Sequence, residues 1–225
     1  MSSRQRLFES SVGTKLLIGA TGLFLFVYLI IHIAGNLMVL GGPDTFNKYA
    51  AALAGNPLIP LIEAVLLLGL LTHAFKTITM YFQNRQARPV GYARKRSAGH
   101  TTRKSLASST MIASGLILLL FLIFHVKAFR FGPHYERDGV HDLYRLEFEN
   151  LQNPLMVGFY LVSMLVVGSH LWHGISSSLQ SLGVDHPVWT PRLRTFGQLM
   201  AIVIAGGFMA IVVWVYVNQP SQVAQ

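Results

Sequence analysis

Five stretches of this chain are each long and apolar enough to cross a lipid bilayer: Leu16–Leu40, Pro57–Phe82, Leu106–Phe129, Pro154–Leu179 and Phe196–Val217. A spanning helix needs about 20 mostly apolar residues. Hydrocarbon offers no water to the backbone, so each span must pair its own N–H and C=O groups, which makes helices the expected form. The pattern predicts an all-α integral membrane protein with five transmembrane helices, forming a single transmembrane domain over residues 1–225. Pro57 and Pro154 open the second and fourth spans, where a missing N–H costs nothing. Gly41-Gly42-Pro43 ends the first span and Gly132-Pro133 follows the third. No soluble domain, low-complexity tract or clear internal repeat is read.

Composition agrees with lipid as the solvent. The chain is 52% hydrophobic and 12% charged, against about 25% charged in an ordinary soluble domain. Its net charge of +9 is gathered between the apolar runs rather than spread as a binding stripe, which argues against nucleic acid as a partner. The loop Gln83–Lys104 carries Arg85, Arg88, Arg94, Lys95, Arg96, Arg103 and Lys104 with no acid, whereas Arg130–Asn150 carries Glu136, Asp138, Asp142, Glu147 and Glu149. The lysine and arginine bias puts the N-terminus and the Gln83–Lys104 loop in the cytoplasm and the C-terminus outside, in the cell inner (cytoplasmic) membrane. The basic loop also suits docking of a cytoplasmic partner. The first apolar run is too long for a signal-peptide core and has no small-residue cleavage site, so it is read as a retained helix. Cysteine is absent, which excludes disulfides, cysteine-ligated iron–sulfur clusters and covalently attached haem within this chain.

Each of the first four spans carries histidine in its apolar stretch: His32, His73, His125, then His170 and His173. Ionisable side chains inside a membrane are costly and mark function. Depth sorts them. At 1.5 Å per residue, His73 and His170 each lie about 22 Å inward from the outer ends of the second and fourth spans. Counted from the cytoplasmic side, His32 and His125 lie about 24 and 28 Å along the first and third spans. This makes an inner pair and an outer pair, separated by about 15–20 Å in depth. Two imidazoles at one level suit the two axial positions of a haem iron. Zinc would need further ligands, and no cysteine or carboxylate stands beside either pair. A proton relay and plain hydrogen bonding between helices are the remaining readings.

His170 matches the depth of His73 better than His173 does, and Gly174, one turn on, leaves bare backbone on the same face. His173 is the alternative ligand, or a partner for a propionate or quinone. Gly35 stands in a similar place beyond His32. Lys76 and Lys127 read as snorkelling stems or propionate partners. Ser11 and Lys15, at the start of the first span, are candidates for a cytoplasmic-side quinone or partner surface, or simply a helix start. Glu63 is a lone acid near the outer end of the second span. Apolar surroundings disfavour an ionised carboxylate, so Glu63 is a candidate for exchanging protons with a quinone. The plainer reading is an interfacial acid reaching water.

These residues resemble the cytochrome b membrane-anchor subunit of succinate dehydrogenase and its fumarate reductase relatives, in the single-anchor, five-helix, di-haem form. The resemblance covers nearly the whole chain. It is carried by His32-Ile-Ala-Gly-Asn36, Gly42-Pro43-Asp44 with Phe46-Asn47-Lys48-Tyr49, and Asn56-Pro57-Leu58. Glu63 and His73 follow, then Asn84-Arg85 with Ala87-Arg88-Pro89, Asp142-Leu143-Tyr144, Gln152-Asn153-Pro154, His170-Leu-Trp-His-Gly174 and Gln180-Ser-Leu-Gly183. The resemblance implies a first-four-helix bundle with two b haems, the distal one held by His32 and His125 and the proximal one by His73 and His170. It also implies two partner chains on the cytoplasmic face: a flavoprotein with covalent FAD that oxidises succinate, and an iron–sulfur protein. Electrons would pass from the clusters through the proximal and distal haems to a quinone, commonly menaquinone. Some fumarate reductase relatives carry a glutamate two residues before the fourth-helix histidine to move protons. That position is Gly168 here, so this route does not carry over. The cytochrome b of quinol:cytochrome c reductase fits less well, because its ligands sit in pairs along two helices. A haem-free transporter using the histidines and Glu63 as a proton relay is the non-redox alternative.

Overall fold

The computed structural model describes residues 10–87 and 106–219. Helix α1 (Ser11–Asn36) runs on through a 3-10 turn (Leu37–Gly41), followed by α2 (Pro43–Ala54) and α3 (Ile59–Gln86). A single turn, α4 (Leu106–Ser109), leads into α5 (Met111–Phe129). A small hairpin, β1 (Glu136–Arg137) and β2 (Val140–His141), precedes α6 (Leu143–Asn150), α7 (Pro154–Ser181) and α8 (Trp189–Val217). The expected five-helix, all-α membrane fold is therefore present: α1, α3, α5, α7 and α8 are each long and apolar enough to cross a membrane. Of the basic loop, Arg85 lies in the last turn of α3, where a cation complements the helix dipole. Arg88, Arg94, Lys95, Arg96, Arg103 and Lys104 lie outside the described residues.

The chain divides into two compact units, and each of the five long helices contributes a segment to both. Within the described residues the first unit is 10–27, 65–87, 106–115 and 169–201, and the second is 28–64, 116–168 and 202–219.

The second unit holds the elements that hydropathy does not reveal. Gly42 adopts φ +84°, a conformation glycine takes without strain, and so turns the chain from the 3-10 turn into α2. Pro43 starts that helix and Asp44 stands in its first turn, where an anion favours the dipole. Asp138 and Gly139 both have positive φ and close the hairpin, as Asp-Gly pairs do in tight turns. Asp142 caps α6 by accepting from the Arg145 backbone N–H at 3.0 Å. Its carboxylate also accepts from Asn47 Nδ2 at 2.7 Å, while Asn47 Oδ1 accepts from the Tyr144 N–H at 3.0 Å. Two short helices are thus joined by one buried amide. Phe46, Phe148, Leu151, Val157 and Val215 pack around them as a continuous core.

No clear internal repeat was expected, yet the chain carries one. Ala20-Thr21-Gly22-Leu23 with Tyr28 and His32 in α1 recurs at the same spacing as Ala113-Ser114-Gly115-Leu116 with Phe121 and His125 in α5. Asn56-Pro57-Leu58 with Thr72-His73 recurs likewise as Asn153-Pro154-Leu155 with Ser169-His170. The equivalence extends to local structure. Asn56 Oδ1 accepts from the Leu58 N–H at 3.0 Å, and Asn153 Oδ1 accepts from the Leu155 N–H at 2.9 Å. Tyr28 stacks on His32 at 5.4 Å and Phe121 stacks on His125 at 5.5 Å between ring centroids. The first two spans and the next two are variations on one pattern. A background of interchangeable apolar residues hides it from inspection.

Candidate functional site

In the first unit, His73 on α3 turns its Nδ1 to α1, 3.2 Å from the Ile18 carbonyl and 3.2 Å from Thr21 Oγ1. The Thr21 hydroxyl proton is already directed at the Leu17 carbonyl, 2.6 Å away. Thr21 therefore meets the imidazole as an acceptor, and so does the Ile18 carbonyl. The network assigns the proton of His73 to Nδ1 and leaves the Nε2 lone pair available. His170 on α7 repeats the arrangement against α5. Its Nδ1 lies 2.9 Å from Ser114 Oγ, whose own proton points to the Met111 carbonyl at 3.0 Å. An imidazole that gives its Nδ1 proton to a neighbour and keeps Nε2 bare is in the form that binds metal.

A glycine lies beside each of these bonds, closely packed at Gly22 and in ordinary contact at Gly115. A β-carbon at Gly22 would stand 3.2 Å from His73 Cε1 and 3.0 Å from Ser178 Oγ; one at Gly115 would stand 3.5 Å from His170 Cε1. Each inner histidine thus lies over a glycine that directly follows its hydroxyl partner in sequence. His73 is near enough to act on His170 electrostatically. Sequence reasoning missed Thr21, Gly22, Ser114 and Gly115, because a hydroxyl or glycine in a spanning helix is common and says nothing until its neighbour is known.

In the second unit, His32 on α1 and His125 on α5 face each other with ring centroids 5.9 Å apart. That is about the separation two imidazoles need to flank one metal with metal–nitrogen bonds near 2 Å. Their surroundings are aromatic. Besides Tyr28, His32 touches Phe208 at 5.6 Å; besides Phe121, His125 touches Phe129 at 5.1 Å. The polar contacts are sparse: Tyr160 Oη at 3.2 Å from His125 Nδ1, and Asn36 Nδ2 at 3.5 Å from His32 Nδ1. Four imidazoles in two sets, three of them with Nδ1 within 3.2 Å of a side-chain oxygen and all in apolar surroundings, are a donor set that fits haem iron.

His173 lies on α7 three residues beyond His170, and its ring makes no hydrogen bond among the described residues. Gly174 is in ordinary contact with its surroundings, a built β-carbon meeting the Met111 methyl at 3.8 Å. At Gly35 the Tyr49 ring of α2 fills that space, so its bareness serves helix packing in this structure. Lys76 stands on α3 at the position equivalent to His173 in the repeat. Ser11 and Lys15 are exposed at the start of α1.

Glu63 is not a lone acid. Arg130, just past the end of α5, meets it with two contacts, Nε to Oε1 at 3.2 Å and Nη2 to Oε2 at 3.4 Å. The Glu63 side chain is 46% exposed, which sets it apart from the enclosed acid that its apolar neighbours imply. Its charge reaches Tyr28, the ring stacked on His32. The enclosed acid is Glu147 on α6, 5% exposed, with its carboxyl pushed up to about 8 by desolvation. Counting acids in the Arg130–Asn150 loop could not separate Glu147 and Asp142, which are buried, from their exposed neighbours.

No family model matches the chain. It is similar to the succinate dehydrogenase cytochrome b558 subunit of Bacillus subtilis (strain 168), with 23% identity over 178 residues that make up 79% of this chain and 82% of that protein.

Proposed function

We propose that this chain is the haem-binding membrane anchor of a succinate:quinone oxidoreductase, or of its fumarate-reducing counterpart. The observation that carries the reading is the pairing of membrane histidines: His73 and His170 in metal-binding form, and His32 facing His125 at 5.9 Å. The similarity to a succinate dehydrogenase cytochrome b subunit supports it. In this reading His32 and His125 hold a distal b haem, and His73 and His170 a proximal one. Bound haem supplies a one-electron carrier inside an otherwise insulating protein.

This chain's own residues do the rest. Four helices fix the imidazoles, and their apolar packing keeps water from the iron ligands. Glu63, with Arg130 beside it, holds a carboxylate that acts on Tyr28, the ring stacked on His32, and there it exchanges protons with a quinone. Ser11 and Lys15 belong to the cytoplasmic surface that meets the iron–sulfur and flavoprotein subunits, and succinate chemistry belongs to those chains. The orientation follows the basic loop, with the N-terminus cytoplasmic in the inner membrane, and menaquinone is the quinone this di-haem form implies.

Purification of the tagged chain from its native membranes tests the assignment. Chains carrying covalent flavin and iron–sulfur clusters should accompany it, and succinate should reduce its b-type absorbance. A preparation with no such partners and no response to succinate would refute the assignment.

A further inference from the structure

Thr21 and Ser114 occupy equivalent positions of the repeat, each followed by a glycine over which an imidazole packs. Each spends its own proton on a carbonyl one turn back and offers oxygen to the Nδ1 of a histidine on the next span. Two sites of the chain that are far apart in sequence therefore solve one problem in the same way: the tautomer and rotation of an imidazole between helices. We infer that Thr21 and Ser114 are positioning residues for the two axial ligands of a single haem, and that their hydroxyl oxygens set how strongly those rings donate to its iron. This rests on the haem reading given above.

The physical reason is that an acceptor on Nδ1–H makes the imidazole a better donor at Nε2. Stronger donation favours ferric over ferrous iron, so removing the acceptor raises the potential of that haem. The two ligands are not equally dependent on their hydroxyls. His170 has Ser114 as its one hydrogen-bond partner among the described residues, at 2.9 Å. His73 shares its proton between Thr21 and the Ile18 carbonyl, both at 3.2 Å, and the carbonyl stays when the hydroxyl is removed. His32 and His125 have no serine or threonine partner among the described residues, so the other haem should be indifferent to both substitutions.

The experiment uses the complete complex with Ser114→Ala, Thr21→Val, Ser114→Thr and Thr21→Ser. Potentiometric titration resolves the two b components, and the g-values of the oxidised haems report ligand orientation. With haem content unchanged, one component should move to higher potential with altered g-values while the other stays in place. Ser114→Ala should move it further than Thr21→Val, and the two hydroxyl-retaining variants should match the wild type. Should Ser114→Ala fail to assemble, Ser114→Cys keeps the volume with a weaker acceptor and is read in the same way. Unchanged potentials and g-values in variants that retain haem would overturn the inference, as would equal shifts of both components. A wild-type protein without b-type absorbance would instead overturn the haem reading itself.

Discussion

The first unit fixes its two histidines with oxygen atoms, whereas the second surrounds its two mainly with rings, His125 adding one contact to the Tyr160 hydroxyl. His73 and His170 each give a proton to a neighbouring helix, at 3.2 and 2.9 Å. His32 and His125 are held by Tyr28, Phe121, Phe129 and Phe208, with centroid distances of 5.1 to 5.6 Å. The two devices are similar in strength, each contributing about 0.5–1.5 kcal/mol per contact, yet they control different things. A hydrogen bond assigns a proton and a direction, so one hydroxyl governs the electronic character of the ring. Ring stacking fixes position and excludes water but leaves the tautomer to other contacts. One unit should be sensitive to single polar atoms and the other to lost volume.

The largest effect separates the histidine pairs. His73→Ala or His170→Ala should remove one b component from the reduced-minus-oxidised spectrum, and His32→Ala or His125→Ala the other, while His173→Ala spares both. Loss with His173→Ala and retention with His170→Ala would reverse the ligand assignment on α7. Next comes packing. Phe148 is fully buried in the core of the second unit, and Phe148→Ala should cost about 3–5 kcal/mol. Thermal unfolding followed by loss of the His32/His125 component would register this, and that component should be lost before the other. Equal sensitivity of both would show that the units do not differ in this way.

The smallest effect concerns pH. Burial raises the Glu147 carboxyl from 4.5 to about 8, so the folded protein keeps a proton that the unfolded chain has released. The Glu147 contribution to stability is therefore full below about pH 4.5, falls as pH rises towards 8, and is level above that. Glu147→Gln should flatten this slope in the thermal midpoint, with its largest gain near pH 8. An unchanged slope would mean that Glu147 is not what the second unit loses stability to.

The spans were legible because twenty apolar residues in lipid leave the backbone one economical form. The histidines stood out because a polar ring in such a run is rarely idle. Helices α2 and α6 were not, since what stabilises them is a buried bond between Asn47 and Asp142, 95 residues apart. Glu63 looked solitary for the same reason: Arg130, 67 residues on, is adjacent only after folding. The repeat was present in the letters throughout, but leucine, isoleucine and phenylalanine substitute freely on lipid-facing positions. The hydroxyl–imidazole contacts, the asparagine turns and the ring stacks show which few residues to align.

Haem stoichiometry of the purified wild-type protein tests the assignment most directly. Extracted haem per polypeptide, together with the reduced-minus-oxidised spectrum, should show two non-covalent b haems per chain that titrate as two components. A well-folded preparation with no b-type haem would contradict the assignment of all four histidines.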